Sequence, residues 1–144
     1  MAGNFCKALL SAMLIASPAW AADPPRPLME LPVIDMIPVD PADYAEASAL
    51  AASGASPLDI ALKIAGNSEA ATQHIVQVND RGEAPSRSRV TVLRDRLLDD
   101  SIRGERWDIA LEKTPAAWKI AEVKRAWRCR RGEFLDRFTA VSCP

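Results

Sequence analysis

The chain has 144 residues, of which 49% are hydrophobic and 26% charged, and its net charge is −1. That length allows one domain with a modest core, and the balanced charge rules out a chain that is basic overall. No stretch after the leader region described next approaches the run of about 20 apolar residues that a membrane-spanning helix needs.

The N-terminal segment has the three parts of a secretory signal peptide. Lys7 supplies the positive charge, Ala8 to Ala16 is a nine-residue run that is apolar but for Ser11, and Pro18 then interrupts any helix. Ala19-Trp20-Ala21 places small residues where a signal peptidase reads them, which predicts residues 1–21 as the leader and cleavage between Ala21 and Ala22. Removing those 21 residues from 144 leaves a mature chain of 123. Cys6 lies before the apolar run, where a lipid-carrying cysteine cannot stand. The expected location is periplasmic or secreted.

Residues 22–39 hold Pro24, Pro25, Pro27, Pro32 and Pro38. Such a segment cannot be regular helix or central strand. It reads as an extended arm with Leu31, Val33, Ile34, Met36 and Ile37 available to touch the domain, and its composition equally suits a disordered tether. Residues 40–144 read as a single domain.

Asp40-Pro41-Ala42-Asp43 gives an N-cap, a proline at the first helical position and an early acid, so a helix is expected through to Ser53, with Gly54 as its stop. Ser56-Pro57-Leu58-Asp59 repeats the start signal. Leu58, Ala61, Leu62 and Ala65 are expected on its buried face, and Gly66-Asn67 ends it. The period then changes from helical to alternating. Thr72 to Val78 is a strand candidate, and Asn79 to Gly82 with Pro85 forms a loop. Arg89 to Leu93 alternates, with Val90 and Val92 on one side. Asp99-Asp100-Ser101 is a turn. Trp107, Ile109 and Leu111 share one face of the next strand, and Thr114-Pro115 centres a hairpin loop. Trp118 and Ile120 open the last strand, while Val123, Trp127 and Cys129 continue on the opposite parity, which suggests a bulge near Ala121 or a strand buried on both faces.

Helices followed by antiparallel strands indicate an α+β domain. The expected form is an N-terminal helix or helix pair packed on a curved antiparallel sheet of about four strands, a cystatin-like or nuclear-transport-factor-like outline.

Charge is distributed unevenly. Ala22 to Asp80 carries 9 acids and 2 bases, whereas Arg81 to Pro144 carries 10 acids and 15 bases. This suggests an acidic N-terminal part lying against a basic sheet. The 13 arginines outnumber the 4 lysines of the mature chain, which suits fixed ion pairs.

Few residues invite chemistry. His74, the only histidine, is the one side chain suited to acid–base work near neutrality. It is a candidate general base, oriented by Asp95 or Asp99, or else an ordinary strand residue. Asp95, Asp99 and Asp100 lack the spacing of a calcium loop and read as turn acids paired with neighbouring arginines, so no metal site is assigned. Arg125, Arg128, Arg130 and Arg131 surround Trp127 and form a candidate grip for an anionic ligand, although alternation divides them between two faces. For an exported protein the corresponding partner is an anionic envelope component or another periplasmic protein, with no nucleic acid. Trp107, Trp118 and Trp127 are expected in the core. No phosphate loop, dinucleotide fingerprint, nucleophile elbow or zinc-protease helix occurs, and no cofactor is implied.

Loss of Cys6 with the leader would leave Cys129 and Cys143, which in an oxidising compartment most simply form one disulfide. Phe134 and Phe138, four apart inside that loop, suggest a helical turn against the sheet.

The stretches Arg89–Asp95, Asp99–Trp107, Trp118-Lys119-Ile120, Trp127-Arg128-Cys129-Arg130-Arg131-Gly132 and Cys143 together resemble a group of small exported bacterial proteins without an assigned activity. The resemblance implies a strand-rich C-terminal half with paired cysteines. It transfers no catalytic residue, and Glu133-Phe134 stand here where that group carries a histidine.

Overall fold

The computed structural model describes residues 26–144. The leader, with Lys7 and Cys6, and the Ala21–Ala22 junction lie outside the described residues. Among these there are five strands and two α-helices: β1 (Ile37–Val39), α1 (Ala45–Ala52), α2 (Pro57–Ala65), β2 (Ala70–Asn79), β3 (Arg87–Leu97), β4 (Ile102–Lys113) and β5 (Trp118–Cys129). The strands form one antiparallel sheet in the order β1-β5-β4-β3-β2.

This corrects the expected α+β arrangement. The sheet dominates and has five strands rather than about four, and the two short helices come after the first strand instead of opening the domain. The proline-rich stretch hid β1. Pro38 lacks an N–H, yet it can sit in an edge strand whose free side needs no donor, and Ile37–Val39 pairs with Val123–Arg125. Upstream, Leu28 and Leu31 are buried and Val33 bridges to Phe138.

Local signals in the helices were honoured in part. Asp40 caps only a 3-10 turn over Pro41–Asp43, after which α1 begins. The Ser56 hydroxyl accepts the Asp59 N–H at 3.2 Å and opens α2 as its sequence demanded. The buried face of α2 is Ile60, Ala61, Ile64 and Ala65, so Leu58, at the first turn, is exposed instead. The α-helices lie on one sheet face, where Ile60 and Ile64 meet Val90, Val92, Trp107, Ile109, Leu111 and Val123. Burying a side chain of this size is worth about 1.5–3 kcal/mol, so this layer is the main core. A smaller cluster on the other face joins Leu28, Leu31, Leu93, Ala126 and Phe138.

Two irregularities shape the sheet. Ala110 pairs with Glu122 but Leu111 with Ile120, so Ala121 is the bulged residue and the side-chain parity of β5 reverses there. A second shift lies between Ile102 and Gly104. A Cβ on Gly104 would sit 2.8 Å from the Arg94 carbonyl oxygen, so no larger residue fits without backbone movement.

The chain's last turn differs from expectation. Phe134 and Phe138 form no helical turn. Thr139 exchanges backbone hydrogen bonds with Trp127, and the Phe138 N–H donates to the Pro32 carbonyl, which sinks the Phe138 ring fully into the second core. The predicted pairing of an acidic N-terminal part with a basic sheet is also not what the ion pairs show. Apart from the sequence neighbours Asp80 and Arg81, every ion pair among the described residues joins groups of the same half, as Lys63 with Glu46 or Arg128 with Asp95.

Candidate functional site: an arginine cleft beside the helices

The helices cover only part of their sheet face. Where they stop, alternation brings polar residues onto it. Arg94 follows Val90 and Val92 in parity on β3, and Glu105 precedes Trp107 in parity on β4; the two are direct cross-strand partners. Arg94 Nη1 lies 3.0 Å from Glu105 Oε1, and the two side chains are only 3% and 6% exposed. The rest of the Arg94 fork is also occupied. Nε donates to Gln73 Oε1 at 2.8 Å, Nη1 to the Ala65 carbonyl at 2.9 Å, and Nη2 to the Gly66 carbonyl. Arg94 therefore closes the C-terminus of α2, where carbonyls lack helical partners and a positive charge is favoured.

Glu105 gives its other oxygen to Arg125, with Nη2 3.1 Å from Oε2. The Arg125 guanidinium lies 4.6 Å from the Trp107 ring centroid and 5.8 Å from that of Trp127, a stacked placement between two indoles. Its side chain keeps 35% of its exposure, and its buried Nε has no hydrogen-bond partner among the described residues. The Trp127 indole N–H donates to the Val141 carbonyl, so the C-terminal segment fixes that ring.

Around Arg125 and Trp127 opens a cleft of about 540 Å³, completed by Leu98, Asp99, Asp100, Ser101, Ile102, Ser142 and Cys143. An adjoining hollow of about 370 Å³ shares Leu98, Asp99, Ile102 and Arg125 and reaches Glu69 and Glu105. Leu98 stands at the mouth with 82% exposure. Asp99 accepts the Ser101 and Ile102 N–H groups, which holds its carboxyl below the usual range. Cys129 and Cys143 have Cα atoms 5.3 Å apart and sulfurs at bonding distance, tying the cleft's C-terminal wall to the end of β5.

The four arginines of the sequence patch do not come together. Arg125 faces the cleft. Arg128 turns to the opposite face, where it binds the Asp95 carboxylate and the Leu135 carbonyl. Arg130 braces the carbonyls of Leu97 and Asp99, and Arg131 reaches that of Asp100. Three of the four thus hold structure. Trp127 is half-buried in the cleft wall, unlike the buried Trp107 and Trp118. His74 is exposed on β2, opposite Leu93, on the sheet face away from the helices. Asp95 is engaged by Arg128 and Asp99 by its own turn, so neither orients His74. Among the described residues no cluster of three or more His, Cys, Asp and Glu side chains is placed to hold a metal, and no helix is long and apolar enough to cross a membrane.

The Arg94–Glu105–Arg125 chain escaped the sequence reading, although the signal was present. Continuing the alternation of Val90 and Val92 by one step puts Arg94 on the core face, and stepping back from Trp107 does the same for Glu105. No family model matches this chain, and no curated protein and no solved structure matches it either.

Proposed function

We propose that this protein is an exported, non-enzymatic binding module of the cell envelope, and that its cleft receives a carboxylate-bearing ligand at Arg125. The observation that carries the reading is the Arg125 guanidinium itself. It is stacked against Trp107 and Trp127, partly exposed in a cleft, and among the described residues bonded through Nη2 alone. Arg94 neutralises Glu105 from behind, so the three charges leave one positive charge at the surface. Leu98, Ile102 and Trp127 add apolar contact, and the acids at positions 99 and 100 on the rim suit a ligand that also carries an ammonium. Peptide stems of cell-wall material and extended protein segments both have that chemistry. Export is supported by the leader pattern and by the Cys129–Cys143 pair. The resemblance to small exported bacterial proteins fits the same placement.

Isothermal titration of the purified chain with a soluble muropeptide, with glucuronate and with inorganic phosphate tests the reading. Saturable muropeptide binding that Arg125→Gln weakens at least tenfold is expected, since a charge-assisted contact is lost. Turnover of any of these probes would replace it with an enzymatic one.

A further inference from the structure

The two edges of the sheet are built differently. At one end β1 has three residues and contains Pro38, so it offers a neighbouring chain little to pair with. At the other end β2 runs for ten residues, Ala70–Asn79, without a proline or a charged side chain. Ile75, Val76 and Val78 are exposed along it, and among the described residues no strand pairs with its outer edge. Natural edges of this length are usually blunted by a charge, a proline or a bulge, and β2 has none of these.

The parity of that edge is fixed. Asp80 N–H donates to the Arg87 carbonyl, so even-numbered residues of β2 bond to β3 and odd-numbered ones turn their N–H and C=O outward. The outward set is Ala71, Gln73, Ile75, Gln77 and Asn79. An antiparallel partner must offer its own outward residues in turn, and a second copy of β2 does so about a two-fold axis through Ile75. That register sets Gln73 against Gln77 of the other copy and Thr72 against Val78, and it juxtaposes no like charges. It also brings Glu69, just before the strand, opposite Arg81 of the other copy, just after it; within its own turn the Arg81 guanidinium donates to Ser86 Oγ at 3.2 Å and lies 3.6 Å from Asp80, yet its side chain stays 60% exposed. Sliding the pairing by two residues loses that match.

We infer that β2 is a self-association edge, and that two copies of this chain join through it into one continuous ten-stranded sheet, with Ile75 on the two-fold axis and Glu69 facing Arg81 at both ends. The occupant is a second copy because the strand is complementary to itself in both backbone parity and terminal charge.

Sedimentation velocity over a concentration series, with near-ultraviolet circular dichroism to confirm folding, tests this. A monomer–dimer equilibrium is expected. Glu69→Arg alone and Arg81→Glu alone should each raise the dissociation constant about tenfold, because each sets like charges across both ends of the pairing. The two substitutions together should restore it. Ile75→Lys should leave a folded monomer. A chain that stays monomeric at millimolar concentration overturns the inference, as does a dimer indifferent to the single charge reversals. Capture of a foreign strand without self-association overturns it too.

Discussion

Arg94 and Glu105 face each other across β3 and β4 as a nearly fully buried ion pair, 3.0 Å apart, at the point where the apolar core gives way to the cleft. The pair does three things in one place. It closes the end of α2, it joins β3 to the central strand β4, and through the second oxygen of Glu105 it orients Arg125.

Breaking this pair from one side should be severe. Arg94→Met leaves Glu105 buried with one partner and strips the α2 carbonyls of theirs, at a cost of about 3–5 kcal/mol. Replacing both residues by Met and Leu should cost clearly less than Arg94→Met alone, because the one charge then left without its partner, on Arg125, is partly exposed to solvent rather than buried. Urea denaturation of the two variants checks this. A single-variant loss under about 1 kcal/mol would show that the pair is not a structural centre.

The C-terminal tie makes a second prediction. Cys129 and Cys143 are 14 residues apart, a loop whose closure is worth about 3 kcal/mol in the chain-entropy model. Intact mass of protein recovered from the exported fraction should correspond to a chain beginning at Ala22 with no alkylatable thiol. Reduction should lower the melting temperature by about 10 °C. Two free thiols, or a mass retaining the leader, would contradict the assignment.

Asp80 gives the β2–β3 turn a pH dependence. Its carboxylate accepts the Ser86 hydroxyl and the Ser86 and Arg87 N–H groups, which holds its pKa at about 2 against an ordinary 3.8. The folded state thus favours the ionised form. The stabilisation is fully present above pH 3.8 and is lost as pH falls through about 2. The Ser86 and Arg87 amide shifts should titrate with a midpoint near 2, and Asp80→Asn should abolish that titration. A midpoint at the ordinary carboxylate value would show that the turn does not hold the charge.

His74→Ala should change stability by less than about 0.5 kcal/mol, as expected for an exposed position outside the core, and should leave ligand binding at Arg125 intact. Loss of a measured turnover without loss of folding would move the chemistry to this histidine.

Much of the strand order in sequence was legible because alternation is a local property. Trp107, Ile109 and Leu111 announced their shared face, and the parity reversal between Ile120 and Val123 announced the bulge at Ala121. The start of α2 was equally plain, since Ser56, Pro57 and Asp59 form a self-contained signal. What escaped depends on contacts distant in sequence. Nothing near Pro38 indicates that Val123–Arg125 waits for it, and nothing in the Phe134–Phe138 spacing shows that the Pro32 carbonyl will claim the Phe138 N–H. The cleft was half legible. Arg125 and Trp127 were singled out as an aromatic–basic pair, but arginines grouped in sequence alternate in space, and Arg128, Arg130 and Arg131 turned to structural carbonyls and Asp95.

The most direct test of the account is a ¹⁵N-resolved titration of the folded chain with a soluble muropeptide, read at Leu98, Ser101, Ile102 and the Trp127 indole N–H. Saturable shifts confined to these cleft residues are expected, as is their loss in Arg125→Gln with the remaining spectrum unchanged. Shifts centred on the Arg128 face or on His74, or shifts that survive Arg125→Gln, would contradict the account.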